Sequence, residues 1–306
     1  MIDESSNVGA ASTAAATDRT ATGAGVGAAM CYGFVLPGGS APEQVALAEL
    51  AEEAGWDGVF VWEAAFGVDA WALLAAMAVR TRRIRLGTLL TPLPWRRPWK
   101  LASQLLTVDQ LSGGRVILSV GLGAVDDALG STGEVTDRRE RAALLDEGLD
   151  VIDALLARDR RHHGARFSLD LDRPEAFGPC EPVQRPRPPV WIVGLWGAER
   201  SMRRVERGEG YLPNVAGGPG ASMLEHVPAM RAWLDERGRG GAGRLLDLVC
   251  EGQTPADDAA AAADAVAPYR AGGATWWIEN RWGGDPHSAA GLAAVRERLA
   301  AGPPRG

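Results

Sequence analysis

Residues 83–123 read RIRLGTLLTPLPWRRPWKLASQLLTVDQLSGGRVILSVGLG, and the order of signals within them decides the fold class. Ile84, Leu86, Leu89 and Leu90 make a short apolar run that ends in Thr91-Pro92-Leu93-Pro94, where two prolines withdraw two ladder donors and stop a strand. Leu101, Leu105 and Val108 follow at i, i+4 and i+7, one face of a helix. Ser112-Gly113-Gly114 breaks that helix. Val116, Ile117, Leu118 and Val120 then form a second strand, closed by Gly121-Leu122-Gly123. Strand, helix and parallel strand, with both strands apolar throughout, are what a sheet covered on both faces requires.

Outward from this stretch the same unit recurs. Residues 31–36 read as the first strand, closed by Pro37-Gly38-Gly39; Ser40 caps the next helix, with Pro42 near its first turn. Residues 57–62 form the second strand and 69–81 the second helix. The polar stretch AVDDALGSTGEVTD (124–137) follows the fourth strand, and Leu145, Leu149, Ile152 and Leu156 mark one face of a long helix after it. Residues 160–188 are too long for a simple helix–strand connection and predict a small excursion around Arg166 to Leu169. Further strands fall at 190–193, 210–213, 245–250 and 274–278, with helices at 199–207, 222–237 and 257–269 and a closing helix at Leu292, Val295 and Leu299. Eight strand–helix pairs are the arithmetic of a (β/α)8 TIM barrel, here with insertions after strand four and between helix four and strand five. Residues 1–29 are rich in Ala, Thr, Gly and Ser and have no aromatic residue, so they are expected to be a disordered low-complexity segment preceding a single barrel domain over 30–306.

Composition narrows the partners. A net charge of −7 argues against nucleic acid, which wants clustered positive charge. Cys31, Cys180 and Cys250 lack paired spacing, as suits reduced thiols in a cytoplasm, and no apolar run approaches the length that spans a bilayer. His162-His163 lacks the third ligand of a metal site, so none is expected. There is no GxSxG elbow, and the sole lysine, Lys100, precedes Leu101 rather than the Ser or Thr of a phosphate loop.

In such a barrel the active site lies at the carboxyl ends of the strands. That rule nominates Glu63, Thr88 to Thr91, Gly121 to Asp127, Gly194 to Ser201, Pro213-Asn214 and Glu279-Asn280. Gly194, with Gly197 and Ser201 beyond it, sits between a buried strand and a helix start, where free N–H groups and the helix dipole attract an anion; an ordinary turn with solvated arginines is the alternative. Trp95, Trp99, Trp196 and Trp282 lie in loops or just past strand ends and would wall an apolar substrate pocket. A desolvated Glu63 would serve as a proton donor, or as a structural acceptor.

The run LGTLLTPLPWRRPWKLA (86–102), the LSGGR turn and the strand SVGLG resemble the core signature of the luciferase-like monooxygenase superfamily. The similarity extends to EEAGWDGVFVWE (52–63), PVQRPRPPVWIVGLW (182–196) and the tail AGGATWWIE to RERLAAGPP (271–304), in effect over 31–304. Members are barrels that use FMN or a deazaflavin (coenzyme F420). The resemblance implies a cofactor phosphate at the loop from Gly194 through Trp196 and Gly197 to Ser201. It implies a flavin ring lined at the strand end by Gly121 and Gly123 and backed by Leu89 and Leu90 with a non-proline cis peptide between them, a plain apolar strand end being the alternative. Of the nominated neighbours, Thr88 joins this cofactor set, and Asp127 either reaches the pocket or is a solvated loop carboxylate. Several relatives carry an active-site histidine where this chain has Glu63, a departure that unsettles the mechanism. The expected activity is oxygenation of, or hydride transfer to, a small apolar organic molecule, with reduced FMN supplied by a separate reductase. A coenzyme F420-dependent oxidoreductase is the alternative, and a non-catalytic flavin-binding protein the alternative of another class. A homodimer is left open.

Overall fold

The computed structural model describes residues 29–125, 127–171, 181–217, 222–237, 246–282 and 288–305. The low-complexity segment before residue 29 and Cys180 lie outside the described residues. Eight parallel strands pair in a closed ring: β1 (Cys31–Leu36), β2 (Gly58–Val61), β3 (Arg85–Thr88), β5 (Val116–Gly121), β8 (Val190–Leu195), β9 (Gly210–Asn214), β10 (Asp247–Gly252) and β11 (Trp276–Glu279). Pairing of β3 with β5 and of β1 with β11 completes the ring. The chain is therefore the expected TIM barrel. Between β3 and β5 lies β4 (Thr91–Pro92), two residues in register with Val120 and Gly121. The apolar run of residues 84–90 is thus not one strand. It stops at Thr88, passes through a cis peptide between Leu89 and Leu90, and resumes at Thr91.

Around the ring pack α1 (Ala41–Glu53), α2 (Ala70–Arg80), α3 (Pro98–Ser112), α5 (Arg138–Leu156), α6 (Glu199–Val205), α7 (Val227–Arg237), α8 (Ala259–Ala271) and α9 (Ala289–Ala300). The short α4 (Asp127–Gly130) sits in the insertion after β5. Helix starts are fixed by side chains that satisfy orphan N–H groups. Ser40 N donates to Glu43 Oε2 at 2.9 Å, and Asp69, Asp137 and Asp258 accept from the N–H three residues on. The excursion expected near residue 166 is an antiparallel hairpin of β6 (Arg161–His163) and β7 (Ser168–Asp170), anchored by Phe167 against Trp99. Among the described residues no helix is long and apolar enough to cross a membrane.

Two apolar layers hold the barrel. Between strands and helices lies the larger one, which includes Leu47, Leu74, Leu105, Leu149 and Leu299. Inside the ring Val35, Phe60, Ile117, Trp191, Leu212, Val249, Trp276 and Ile278 form a separate cluster. Phe60, Trp191 and Trp276 stack and cross with ring centroids 5.2–5.9 Å apart. Such bulky rings fit because neighbouring inward positions are glycine. A Cβ on Gly33 would stand 2.7 Å from Phe60, and one on Gly210 would overlap Trp191. The interior is packed, not a pore, so ligands have access only at its ends.

Candidate active site

Strand side chains alternate between the two faces of a sheet, so the inner cluster fixes which residues face the barrel mouth. Continuing from Phe60, Val193, Leu212, Val249 and Ile278 to the carboxyl ends of their strands gives Trp62, Leu195, Asn214, Glu251 and Asn280. Leu89 packs against the inner cluster and Gly121 completes the ring. The mouth is divided. From β3 to β8 it presents Leu89, Gly121 and Leu195, without a charge. From β9 to β11 it presents Asn214, Glu251 and Asn280.

On the uncharged side, a Cβ on Gly121 would press on Leu90 at 2.9 Å, so the close approach of this loop to the β3 end demands glycine. Gly123 takes φ +77 and lies against Pro92, beside the buried Arg141 guanidinium. Arg141 donates to the carbonyls of Leu122 and Val135 and thereby pins both ends of the insertion. Thr88 faces outward, its hydroxyl donating to Ser119 O at 3.1 Å. Asp127 begins α4, and its side chain lies outside the described residues, as does Asp126.

At the end of β8 the chain turns into α6, whose N-cap, Ala198, offers no side-chain hydrogen bond. The N–H groups of its first turn therefore lack a side-chain acceptor. Gly197 makes the turn at φ +79 with open space beside it. The space beside Gly194, by contrast, is filled: a Cβ there would stand 2.6 Å from Val205 and 3.0 Å from Tyr211. Gly194 thus seats α6 on the sheet. Ser201 Oγ accepts from Leu195 N at 2.9 Å, which holds the turn closed. Arg203 pairs with Glu199 at 3.0 Å and Arg204 with Asp146 at 2.5 Å. Among the described residues Arg200 alone of these three is exposed without an ion pair.

Glu63 lies one residue beyond Trp62 and turns from the mouth axis toward a rim cavity of about 380 Å³, lined by Glu63, Phe66, Trp95, Arg96, Leu129 and Glu134 among others. Its side chain is only 5% exposed, with Oε1 accepting from Arg96 Nε at 2.6 Å and from Trp95 Nε1 at 3.3 Å. Oε2 is buried with no hydrogen bond. Desolvation pushes the Glu63 pKa above the ordinary carboxylate value, against the opposing charge of Arg96. Trp62, at the mouth, donates its indole N–H to Pro37 O at 3.0 Å.

Across the mouth, the two nominated residues after β11 separate. Glu279 faces outward and is fully buried, accepting from Thr254 N at 2.8 Å and pairing with Arg281 at 3.0 Å, a structural tie between β11 and the helices. Asn280 faces inward, donating to Glu251 Oε2 at 3.4 Å and accepting from Gln253 Nε2 at 3.1 Å. Burial raises the Glu251 pKa, yet the residue is still open to solvent. Sequence reasoning missed Glu251. The signal was there, an acidic residue directly after the buried run Leu248-Val249-Cys250, but the end of this strand was not counted with the others. Burial pushes both Cys31 and Cys250 up to about 12, an environment that disfavours the thiolate. No group of three or more metal-ligating side chains occurs among the described residues, and His162 and His163 lie on the distant β6–β7 hairpin.

The family model described as luciferase-like monooxygenase matches residues 12–302. The chain is 38% identical over 129 residues to the 4-hydroxyprotoasukamycin monooxygenase of Streptomyces nodosus subsp. asukaensis, covering 40% of this chain and 34% of that protein. It is 30% identical over 212 residues to the F420-dependent glucose-6-phosphate dehydrogenase of Segniliparus rotundus, covering 65% of this chain and 61% of that one. The chain thus spans less than two thirds of the length of either relative. Among solved structures, an F420-dependent secondary alcohol dehydrogenase in complex with an F420–acetone adduct superimposes with a TM-score of 0.68 at 16% identity, over 90% of this chain and 99% of the other.

Proposed function

The chain belongs to the luciferase-like monooxygenase family, and within it we propose a flavin-dependent oxidoreductase that uses reduced FMN to oxygenate an apolar organic substrate at the mouth of the barrel. The divided mouth carries this reading. Its uncharged half, built from Leu89, Leu90, Gly121 and Leu195, offers a planar ring an apolar floor with close backbone approach. The open first turn of α6, with Arg200, stands beside that floor as the place for a phosphate. When bound, reduced FMN would supply the electrons that activate oxygen, whereas coenzyme F420 would supply a hydride. The protein's own share is orientation and exclusion of water. Glu63, whose pKa burial raises against the pull of Arg96, is the residue placed to pass a proton at the rim cavity through its unpartnered Oε2. Reduced FMN would come from a separate reductase.

The second reading, an F420-dependent oxidoreductase, is favoured by the 30% identity to an F420-dependent dehydrogenase. Titration of the purified protein with FMN and with coenzyme F420, followed by absorbance, separates the two. Tight FMN binding, with oxygen consumed in proportion to substrate, is the expected outcome. Turnover with F420 alone would replace this reading by the second, and tight binding without any turnover by a flavin carrier.

A further inference from the structure

The polar half of the mouth has a feature that a purely apolar substrate would not need. Glu251 sits at the inward-facing carboxyl end of β10, two residues beyond Val249 of the inner cluster. No ion pair to it occurs among the described residues. Arg281, the nearest arginine in sequence to its neighbour Asn280, is occupied elsewhere, at 3.0 Å from Glu279 and donating to Thr254 O at 2.6 Å. The contacts Glu251 does make are long and all to Oε2: Asn280 Nδ2 at 3.4 Å and Trp282 Nε1 at 3.5 Å. Oε1 has no hydrogen-bond partner among the described residues. Trp282 remains 46% exposed beside this carboxylate, with its indole N–H turned to Oε2. A carboxylate with one oxygen unpartnered and no cation in reach is open to a charged donor, which bonds more strongly to it than a neutral one.

We propose that Glu251 determines substrate specificity by selecting molecules that carry a protonated amine on an apolar frame. The ammonium group binds the open Oε1 against the Trp282 indole, and the apolar frame extends over the uncharged half of the mouth. This rests on the oxidoreductase reading above and adds the substrate class to it.

The test uses the full chain, with FMN present and again without it, and two matched probes, 2-phenylethylamine and 2-phenylethanol, titrated by calorimetry. The wild type is expected to bind the amine about tenfold or more tightly than the alcohol, as one charge-assisted hydrogen bond implies. Glu251→Gln, which keeps shape and hydrogen bonding, should bring the two within about twofold while leaving the alcohol and FMN affinities in place. Glu251→Asp, which keeps the charge, should retain a reduced preference. Any wild type that fails to prefer the amine, whether both probes bind alike or neither binds, overturns the proposal, as does a preference that survives Glu251→Gln. Absence of FMN and F420 binding in a protein that still prefers the amine would instead overturn the oxidoreductase reading and leave the amine site standing.

Discussion

At the scale of single residues, glycines do two different jobs here, and substitutions tell them apart. Gly210 gives its space to the Trp191 indole inside the barrel, so Gly210→Ala must displace a ring packed against Phe60 and Trp276. Overpacking of this kind costs about 1–3 kcal/mol, a fall in melting temperature of several degrees at about 2–4 °C per kcal/mol. Gly197→Ala meets no atom within 4 Å and suffers only from its φ of +79, a cost of about 1 kcal/mol. A calorimetric scan that ranks Gly197→Ala as the worse of the two would refute the packing account. Glu63 makes a pH prediction. Its raised pKa means that the folded protein binds this proton more tightly than the unfolded chain does. Its stabilising contribution is then complete below the ordinary carboxylate value of about 4.3 and is lost as pH rises through the folded pKa. Melting temperature in that window should fall less steeply for Glu63→Gln than for the wild type. If Glu63 is the proton donor, the same variant should lower kcat by about 10²-fold or more. Unchanged turnover would leave it only the partner of Arg96.

Among the elements, α6 carries the sharpest test. The apolar strand Val190–Leu195, with Gly194 near its end and a helix after it, suggests a phosphate site at this turn, and the Cβ side of Gly194 is packed against Val205 and Tyr211. Gly194→Val should therefore unseat the helix and weaken every ligand of the mouth alike. Arg200→Ala removes an exposed guanidinium and leaves the packing untouched. It should weaken FMN about tenfold, as the loss of one charge-assisted bond implies, and riboflavin, which has no phosphate, hardly at all. Equal losses for the two ligands would move the phosphate away from α6. The insertion after β5 shows the same division of labour. Arg141, fully buried at the start of α5, ties Leu122 to Val135, so a polar stretch that reads as loose in sequence is held at both ends.

For the whole molecule, closure depends on the last helix meeting the first strands. Trp56 Nε1 donates to Leu299 O at 2.9 Å, and the Arg298 guanidinium lies 5.1 Å from the Trp56 ring. Arg298 also donates to Thr254 Oγ1 at 2.8 Å, and Thr254 in turn binds the buried Glu279. One arginine thus links α9, the loop after β10 and the end of β11 where the ring closes on β1. Arg298→Ala would strip a buried network of one of its two cations, a loss of about 3 kcal/mol, and lower the melting temperature by about 6–12 °C. A change of less than about 2 °C would mean that Arg281 alone satisfies Glu279.

The sequence by itself determined the eight-fold strand–helix count and the family, and it nominated the end of the barrel proposed to bear the site. Each rests on local information: apolar runs of strand length, helical spacing, and glycine or proline where the chain must turn. The excursion near residue 166 was legible for the same reason, as a length no simple connection needs. What only the tertiary structure decided is how single side chains at the strand ends face. Glu279 and Asn280 are adjacent in sequence, yet one is locked among Thr254, Arg281 and Arg298 outside the ring and the other lines the mouth. Glu251 and Asn280 meet although 29 residues separate them. That the Cβ side of Gly194 seats a helix likewise depends on Val205, eleven positions away. Alternation along a strand is readable only once the register of its neighbours is known, and register is a property of paired strands, which no single segment contains.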